Sequence, residues 1–76
     1  MPQENDLETL VNLVIKIAQE GYDGHFAVLG FTTGFKCALG TPDLDGGNGR
    51  EQLQRIKAFQ KLEDALIQAI LHRDSF

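Results

Sequence analysis

Apolar residues return every three or four positions between Asp6 and Glu20, which is the period of an amphipathic helix. Asn5 stands just before this segment and Glu8 three residues later, a spacing at which the two side chains can cap the first turn reciprocally. Gly21 follows the segment and can adopt the left-handed conformation that ends many helices. The pattern therefore predicts a first helix over residues 6–20.

The next apolar segment, HFAVLGFTTGFKCALGT, is rich in aromatic and β-branched residues and predicts a β-hairpin centred on Thr32, Thr33 and Gly34. A two-residue turn at Thr33 and Gly34 would require a positive φ at Thr33, which a β-branched side chain resists. A three-residue loop, with both threonines in a type I turn and Gly34 as a left-handed bulge residue, meets no such objection. We therefore predict the three-residue loop. It places on one face of the hairpin Ala27, Leu29, Phe31, Phe35, Cys37 and Leu39.

The opposite face of the hairpin is also largely apolar in this register. It carries Phe26, Val28, Gly30, Lys36 and Ala38. A solitary two-stranded ribbon is marginal in stability, and its outer edges leave backbone groups without partners. The pattern therefore predicts that two copies of the hairpin join edge to edge as a four-stranded sheet.

A second helical period runs from Gly49 to His72 and predicts one long helix. Asn48 and Glu51 repeat the N-cap spacing of the first helix. In both helices the apolar arc is roughly 200° wide at about 100° per residue, whereas a surface helix needs only about 100°. Part of each arc is therefore expected to meet a second copy of the chain.

Together these elements predict a single α+β domain over residues 1–76, with the order α-β-β-α and the hairpin packed against both helices. We expect a homodimer, because the apolar surface exceeds what so small a domain can cover by itself. The residues expected at its interface are Leu13, Ile15, Phe26, Val28, Ala38, Ile67 and Leu71.

Composition narrows the classes of partner and compartment. The chain has one cysteine, so it cannot form an internal disulfide framework. Its net charge of −4 argues against nucleic acid as a partner, although Arg50, Arg55, Lys57 and Lys61 form a local basic segment. The sequence has no signal segment and no apolar run long enough to cross a membrane, so we expect a cytoplasmic protein without a membrane partner.

The glycine-rich loop of residues 40–50 is the strongest candidate for ligand binding. Its candidate ligand-binding residues are Asp43, Asp45, Asn48 and Arg50. A helix-loop-helix calcium site that began at Asp43 would need an oxygen ligand at its fifth position and a glutamate at its twelfth, where this loop has Gly47 and Gln54. An anion at the start of the following helix is favoured by Arg50 but opposed by the two aspartates. Helix capping and turn formation explain the loop better than either ligand.

Groups that could carry catalysis are scarce. Tyr22, Asp23 and His25 cluster in the turn YDGH, which is short of the three ligands and supporting residues of a metal site. Cys37 is expected to be a small buried hydrophobe, and His72 to complement the dipole at the end of its helix. We therefore expect no enzyme activity, no cofactor and no bound metal.

Besides an enzyme assembled at the dimer interface, for which Tyr22, Asp23 and His25 are the obvious donors, two functional hypotheses follow from these patterns. The leading one is a non-enzymatic, homo-oligomeric interaction or regulatory module, whose partner is a second copy of itself or another protein. The alternative is a small-ligand or metal-binding protein that uses the loop of residues 40–50. The oligomeric state of the protein and any ligand retained on purification separate the two.

Overall fold

The computed structural model describes residues 6–43 and 45–76, and the fold belongs to the α+β class, as the sequence predicts. The order of elements in this part of the chain is α-β-β-α-α, with one helix more than expected. The elements are α1 (Leu7–Gly21), β1 (Phe26–Phe31), β2 (Gly34–Leu39), α2 (Gly49–Gln54) and α3 (Leu62–His72).

Helix α1 occupies the predicted segment, but its ends differ from the prediction. Asn5 lies outside the described residues, and Asp6 stands at the N-cap without a side-chain hydrogen bond. Gly21 is still helical, and the left-handed conformation falls on Asp23 and Gly24, at φ 55° and 78°. The amide of Gly24 donates to the Ala18 carbonyl at 2.9 Å, so the chain reverses two to three residues later than predicted.

The predicted register of the hairpin is wrong. Phe31 pairs with Gly34 and Val28 with Cys37, so the connecting turn contains only Thr32 and Thr33. The positive φ that the turn requires is taken by Gly34, at 148°, as the first residue of β2. The comparison of turn types therefore identified Gly34 as the residue with a positive φ, but it did not identify the strand pairing that this glycine allows.

The observed register changes which residues share a face of the hairpin. The inner face, which packs against α1 and α3, carries Phe26, Val28, Gly30, Phe35, Cys37 and Leu39. The outer face carries Ala27, Leu29, Phe31, Gly34, Lys36 and Ala38. Relative to β2, every residue of β1 therefore lies on the face opposite to the predicted one.

The hydrophobic core lies between α1, α3 and the inner face of the hairpin. Helix α3 packs mainly on β2 and α1, and α1 also contacts β1. The fully buried residues of this cluster are Leu10, Val14, Ala18, Cys37, Leu39, Ala65, Leu66 and Ala69. Ala38, on the outer face of the hairpin, and Ile56 are also buried, but they do not belong to this cluster.

The single helix predicted from Gly49 to His72 is wrong, because the chain leaves the helical conformation after Gln54 and resumes it at Leu62. Between them, Phe59 pairs with the edge of β2. The Phe35 amide donates to the Phe59 carbonyl at 2.6 Å, and the Phe59 amide donates to the Phe35 carbonyl at 2.8 Å. These two bonds satisfy backbone groups on both segments, which compensates for the interruption of the helix.

Residues 74–76 cover the other end of the β2 edge. After α3 the backbone turns at Arg73, with φ 54°, and runs beside Leu39. The Leu39 amide donates to the Asp74 carbonyl at 2.8 Å, and the Phe76 amide donates to the Leu39 carbonyl at 3.0 Å. The free edge of β2 is therefore closed near both of its ends by the same chain.

No helix in residues 6–43 and 45–76 is both long enough and apolar enough to cross a lipid bilayer.

Candidate functional site

A cleft of about 450 Å³ opens between α2 and the outer face of the hairpin; we call it the α2 cleft. It is lined by Phe31, Lys36, Asp43, Gly47, Gly49, Arg50, Leu53 and Gln54. The volume lies within the range of about 300 to 1,000 Å³ that is usual for small-molecule sites. The break in the predicted long helix creates this cleft, since it allows α2 to lie over the hairpin apart from α3.

Lys36 joins the hairpin to α2. Its ammonium donates a hydrogen bond of 2.7 Å to the Leu53 carbonyl. The same ammonium lies 5.6 Å from the centre of the Phe31 ring, within the range of a cation–π contact. Two contacts therefore hold a half-buried positive charge at the wall of the cleft, and two of its three N–H donors remain for another group.

Asp43 organises the loop that borders the cleft. Its Oδ1 accepts from the Gly46 amide at 2.7 Å, and its Oδ2 accepts from Asn48 Nδ2 at 3.2 Å. Its own amide donates to Gln52 Oε1 at 2.8 Å, which ties the loop to α2. Both carboxylate oxygens thus have donors within the loop, one from the backbone and one from a side chain. The role of Asp43 in the structure is to shape the turn.

The predicted capping of this helix by the Asn48 side chain is wrong. Asn48 is the N-cap residue by position, but its side chain makes no capping hydrogen bond and turns to Asp43 instead. Its backbone already has helical angles, φ −93° and ψ −1°, whereas a capping residue normally has extended angles that aim its side chain at the first turn.

The four predicted ligand-binding residues separate in the structure. Asp43 and Arg50 line the α2 cleft, whereas Asp45 and Asn48 are exposed outside it. Sequence reasoning missed Lys36 and Phe31, because they come from the hairpin and only tertiary packing brings them to the loop. The available signal was a lone lysine in the otherwise apolar strand GFKCAL.

The turn YDGH has structural contacts. The His25 ring nitrogen Nδ1 lies 2.7 Å from Thr41 Oγ1, and this contact joins the two ends of the hairpin. Tyr22 is partly buried against the core. Within residues 6–43 and 45–76, no three side chains of His, Cys, Asp or Glu come together as a group able to hold a metal ion.

Cys37 is buried on the inner face of the hairpin, as the sequence predicts. Burial, and secondarily the negative charge of Asp74, raises the pKa of its thiol from 9.0 to about 11. The thiolate is the reactive form of cysteine, so this side chain is a packing residue and not a nucleophile.

The predicted interface residues differ widely in exposure. Leu71 is 69 % exposed, Leu13 42 % and Val28 41 %. Phe26 and Ile67 are partly buried against the core of the same chain, Ile15 is half-buried, and Ala38 is fully buried. The exposed apolar residues therefore lie on three different elements: α1, β1 and α3.

The two edges of the hairpin are not equivalent. In an antiparallel pair, residues opposite each other either exchange hydrogen bonds or both point their backbone groups outward. Phe35 and Leu39 point outward on β2, where they bond Phe59 and the end of the chain, so their partners Gly30 and Phe26 point outward on β1. Val28, midway between them, does the same. We call the outward groups of these three β1 residues the β1 edge.

Comparisons of the chain with protein-family models, with curated proteins and with solved structures found no match.

Proposed function

We propose that this protein is a homo-oligomeric interaction module whose dimer forms through the β1 edge and carries a four-stranded antiparallel sheet. This proposal is supported by a difference in backbone hydrogen bonding between the two edges of the hairpin. The β2 edge is bonded at Phe35 and Leu39 by segments of its own chain, whereas no other segment of the described residues bonds the backbone of the β1 edge.

The sequence of β1, FAVLGF, lacks the devices that normally prevent edge strands from pairing. It is six residues long and contains no proline, no charged residue and no bulge. Natural proteins that leave such an edge open usually carry a lysine, a proline or a covering segment there. A second copy of the same strand is the simplest complement, because it has the same length, the same apolar character and the same unpaired groups.

A two-fold axis through Val28 gives a complete pairing. Phe26 would lie opposite Gly30 of the partner, and Val28 opposite Val28 of the partner, so that every outward group of the strand finds a donor or an acceptor. Val28 is 41 % exposed in the single chain and would gain an apolar neighbour at the axis. The exposed Leu13 on α1 and Leu71 on α3 are not needed for this pairing.

The experiment is light scattering of the purified protein together with two lysine variants. Val28→Lys places like charges opposite each other at the two-fold axis and should give a monomer. Leu71→Lys introduces the same charge at a more exposed apolar position on α3 and should leave the dimer intact. A monomeric parent protein, or a dimer that only Leu71→Lys dissociates, would refute the β1 edge as the interface.

A further inference from the structure

The α2 cleft combines charge and apolar surface in a way that the sheet and the core do not require. Phe31 is 44 % exposed and Leu53 half-buried, and both supply apolar surface to the cleft. Lys36 and Arg50 bring two positive charges to the same space. The protein as a whole carries a net charge of −4, so this local excess of cations runs against the overall charge.

The acidic group of the cleft does not cancel these cations completely. Among the described residues that line the cleft, Asp43 is the one carboxylate and faces two cations, and each of its oxygens already accepts a hydrogen bond from the loop. Lys36, by contrast, uses one of its three N–H donors in the hydrogen bond to the Leu53 carbonyl, so two remain for a ligand. Arg50 is exposed at the rim, with a planar guanidinium suited to binding a carboxylate through two parallel hydrogen bonds.

We propose that the α2 cleft binds a small organic carboxylate with an apolar, aromatic body. The carboxylate would accept hydrogen bonds from Lys36 and Arg50, and the body would lie against Phe31 and Leu53. Lys36 favours binding further because its ammonium is already held between the Leu53 carbonyl and the Phe31 ring, so little side-chain freedom is lost when the ligand arrives.

The positive charges argue against a metal ion in the α2 cleft, and their small number argues against a nucleic-acid strand. A metal ion would meet two positive side chains and a carboxylate whose oxygens are occupied. A nucleic-acid strand would contact only two cations here on a protein of net negative charge, which gives weak binding at physiological salt. The ligand class that uses both the cations and the apolar wall is an amphipathic monoanion.

The test is a titration followed by two-dimensional amide NMR of the full chain, with phenylbutyrate as the probe. Phenylbutanol has nearly the same body without the charge, phenylbutylamine has the opposite charge, and acetate has the charge without the body. The acid should bind at least about tenfold more tightly than the alcohol, which corresponds to one charge-assisted hydrogen bond. The largest shifts should fall on Phe31, Lys36, Arg50 and Leu53.

Variants assign the binding to the cleft. Arg50→Gln changes an exposed residue and should weaken phenylbutyrate about tenfold while leaving the alcohol unchanged. Arg55→Gln makes the same change immediately after α2 but outside the cleft, and it should have no effect. Lys36→Met keeps the apolar stem and should weaken the acid as Arg50→Gln does; thermal melting checks that it is folded.

The proposal is overturned if the alcohol or the amine binds as tightly as the acid, or if Arg55→Gln weakens binding as much as Arg50→Gln. It is also overturned if millimolar phenylbutyrate shifts no amide of the cleft. None of these outcomes bears on the dimer, because the β1 edge and the cleft are tested by different residues and different measurements.

Discussion

At the scale of single residues, Gly34 shows how one position connects two parts of the fold. It starts β2 at φ 148°, a conformation that residues with a side chain rarely adopt. A Cβ added there would collide with the carbonyl of Phe59, the group that pairs with the edge of β2. The glycine is therefore needed both for the tight turn and for the approach of residues 55–61.

We expect Gly34→Ala to lower the free energy of unfolding by about 1 to 3 kcal/mol, the usual range for a strained backbone position. Gly21→Ala is the matched control. A Cβ at Gly21 meets no atom within 4 Å, and the residue is helical, so this change should stabilise the protein by up to about 1 kcal/mol. Urea unfolding measures both, and equal effects of the two changes would contradict the account of Gly34.

The raised pKa of the Cys37 thiol leads us to expect a loss of folding stability at alkaline pH. The pKa of its thiol is raised in the folded state to about 11 from 9.0, so folding favours the protonated form. The associated stability is complete below about pH 9 and is lost as the pH rises through about 11, by at most about 2 to 3 kcal/mol at about 1.4 kcal/mol per pKa unit.

The measurement is the free energy of unfolding from pH 8 to 11 for the parent and for Cys37→Ala. Other groups titrate in this range in both proteins, so only the difference between them reports on the thiol. The parent should lose stability more steeply than the variant. Parallel curves would contradict the raised pKa.

At the scale of elements, α2 is the least firmly attached helix of the described chain. It has six residues, too few to be stable without tertiary contacts, and its contacts with α1 and α3 are sparse. Its side-chain attachments are the hydrogen bond from Lys36 to Leu53 and the bond from the Asp43 amide to Gln52. Because α2 forms one wall of the cleft, its opening would change the shape of the proposed binding site.

Amide hydrogen exchange should therefore be faster in α2 than in α1 or α3. Gln52→Ala removes the acceptor of the Asp43 amide, and the loss of about 1 kcal/mol should speed exchange in α2 about fivefold. Gln54→Ala is the matched control, because it removes a glutamine side chain from the same helix without removing the hydrogen bond to the Asp43 amide. Exchange in α2 as slow as in α3 would show that α2 opens only with the whole domain.

At the scale of the whole molecule, residues 6–43 and 45–76 form one main core and a sheet of two strands. A sheet of this size is marginal unless other elements or another chain complete it. Residues 55–61 and the end of the chain complete the β2 side through bonds at Phe35 and Leu39. The proposed dimer would complete the β1 side.

If the dimer contributes to stability in this way, the melting temperature of the parent should rise with protein concentration by mass action. The Val28→Lys variant should melt at a temperature that does not depend on concentration, and lower than that of the parent in concentrated solution. Calorimetry over a hundredfold range of concentration, about the range that resolves such a shift, makes the comparison. A parent whose melting temperature is constant would contradict a dimer coupled to folding.

The sequence was sufficient for the features that depend on neighbouring residues. The period of the apolar residues located α1, and the aromatic and β-branched run located the hairpin. Loop composition also named four candidate ligand-binding residues, of which two, Asp43 and Arg50, line the cleft. These features follow from side-chain periodicity and turn chemistry, which act over a few residues.

Only the tertiary structure decided the register of the hairpin, the break between α2 and α3, and the arrival of Lys36 and Phe31 at the loop. The helix break and the cleft depend on contacts between residues far apart in the sequence, and the hairpin turn meets such a contact at Gly34, where the Phe59 carbonyl approaches. The backbone bonds between Phe35 and Phe59 interrupt a segment whose apolar pattern is helical throughout. Local propensity is worth only tenths of a kcal/mol per residue, so two backbone hydrogen bonds and a well-packed aromatic residue are enough to override it.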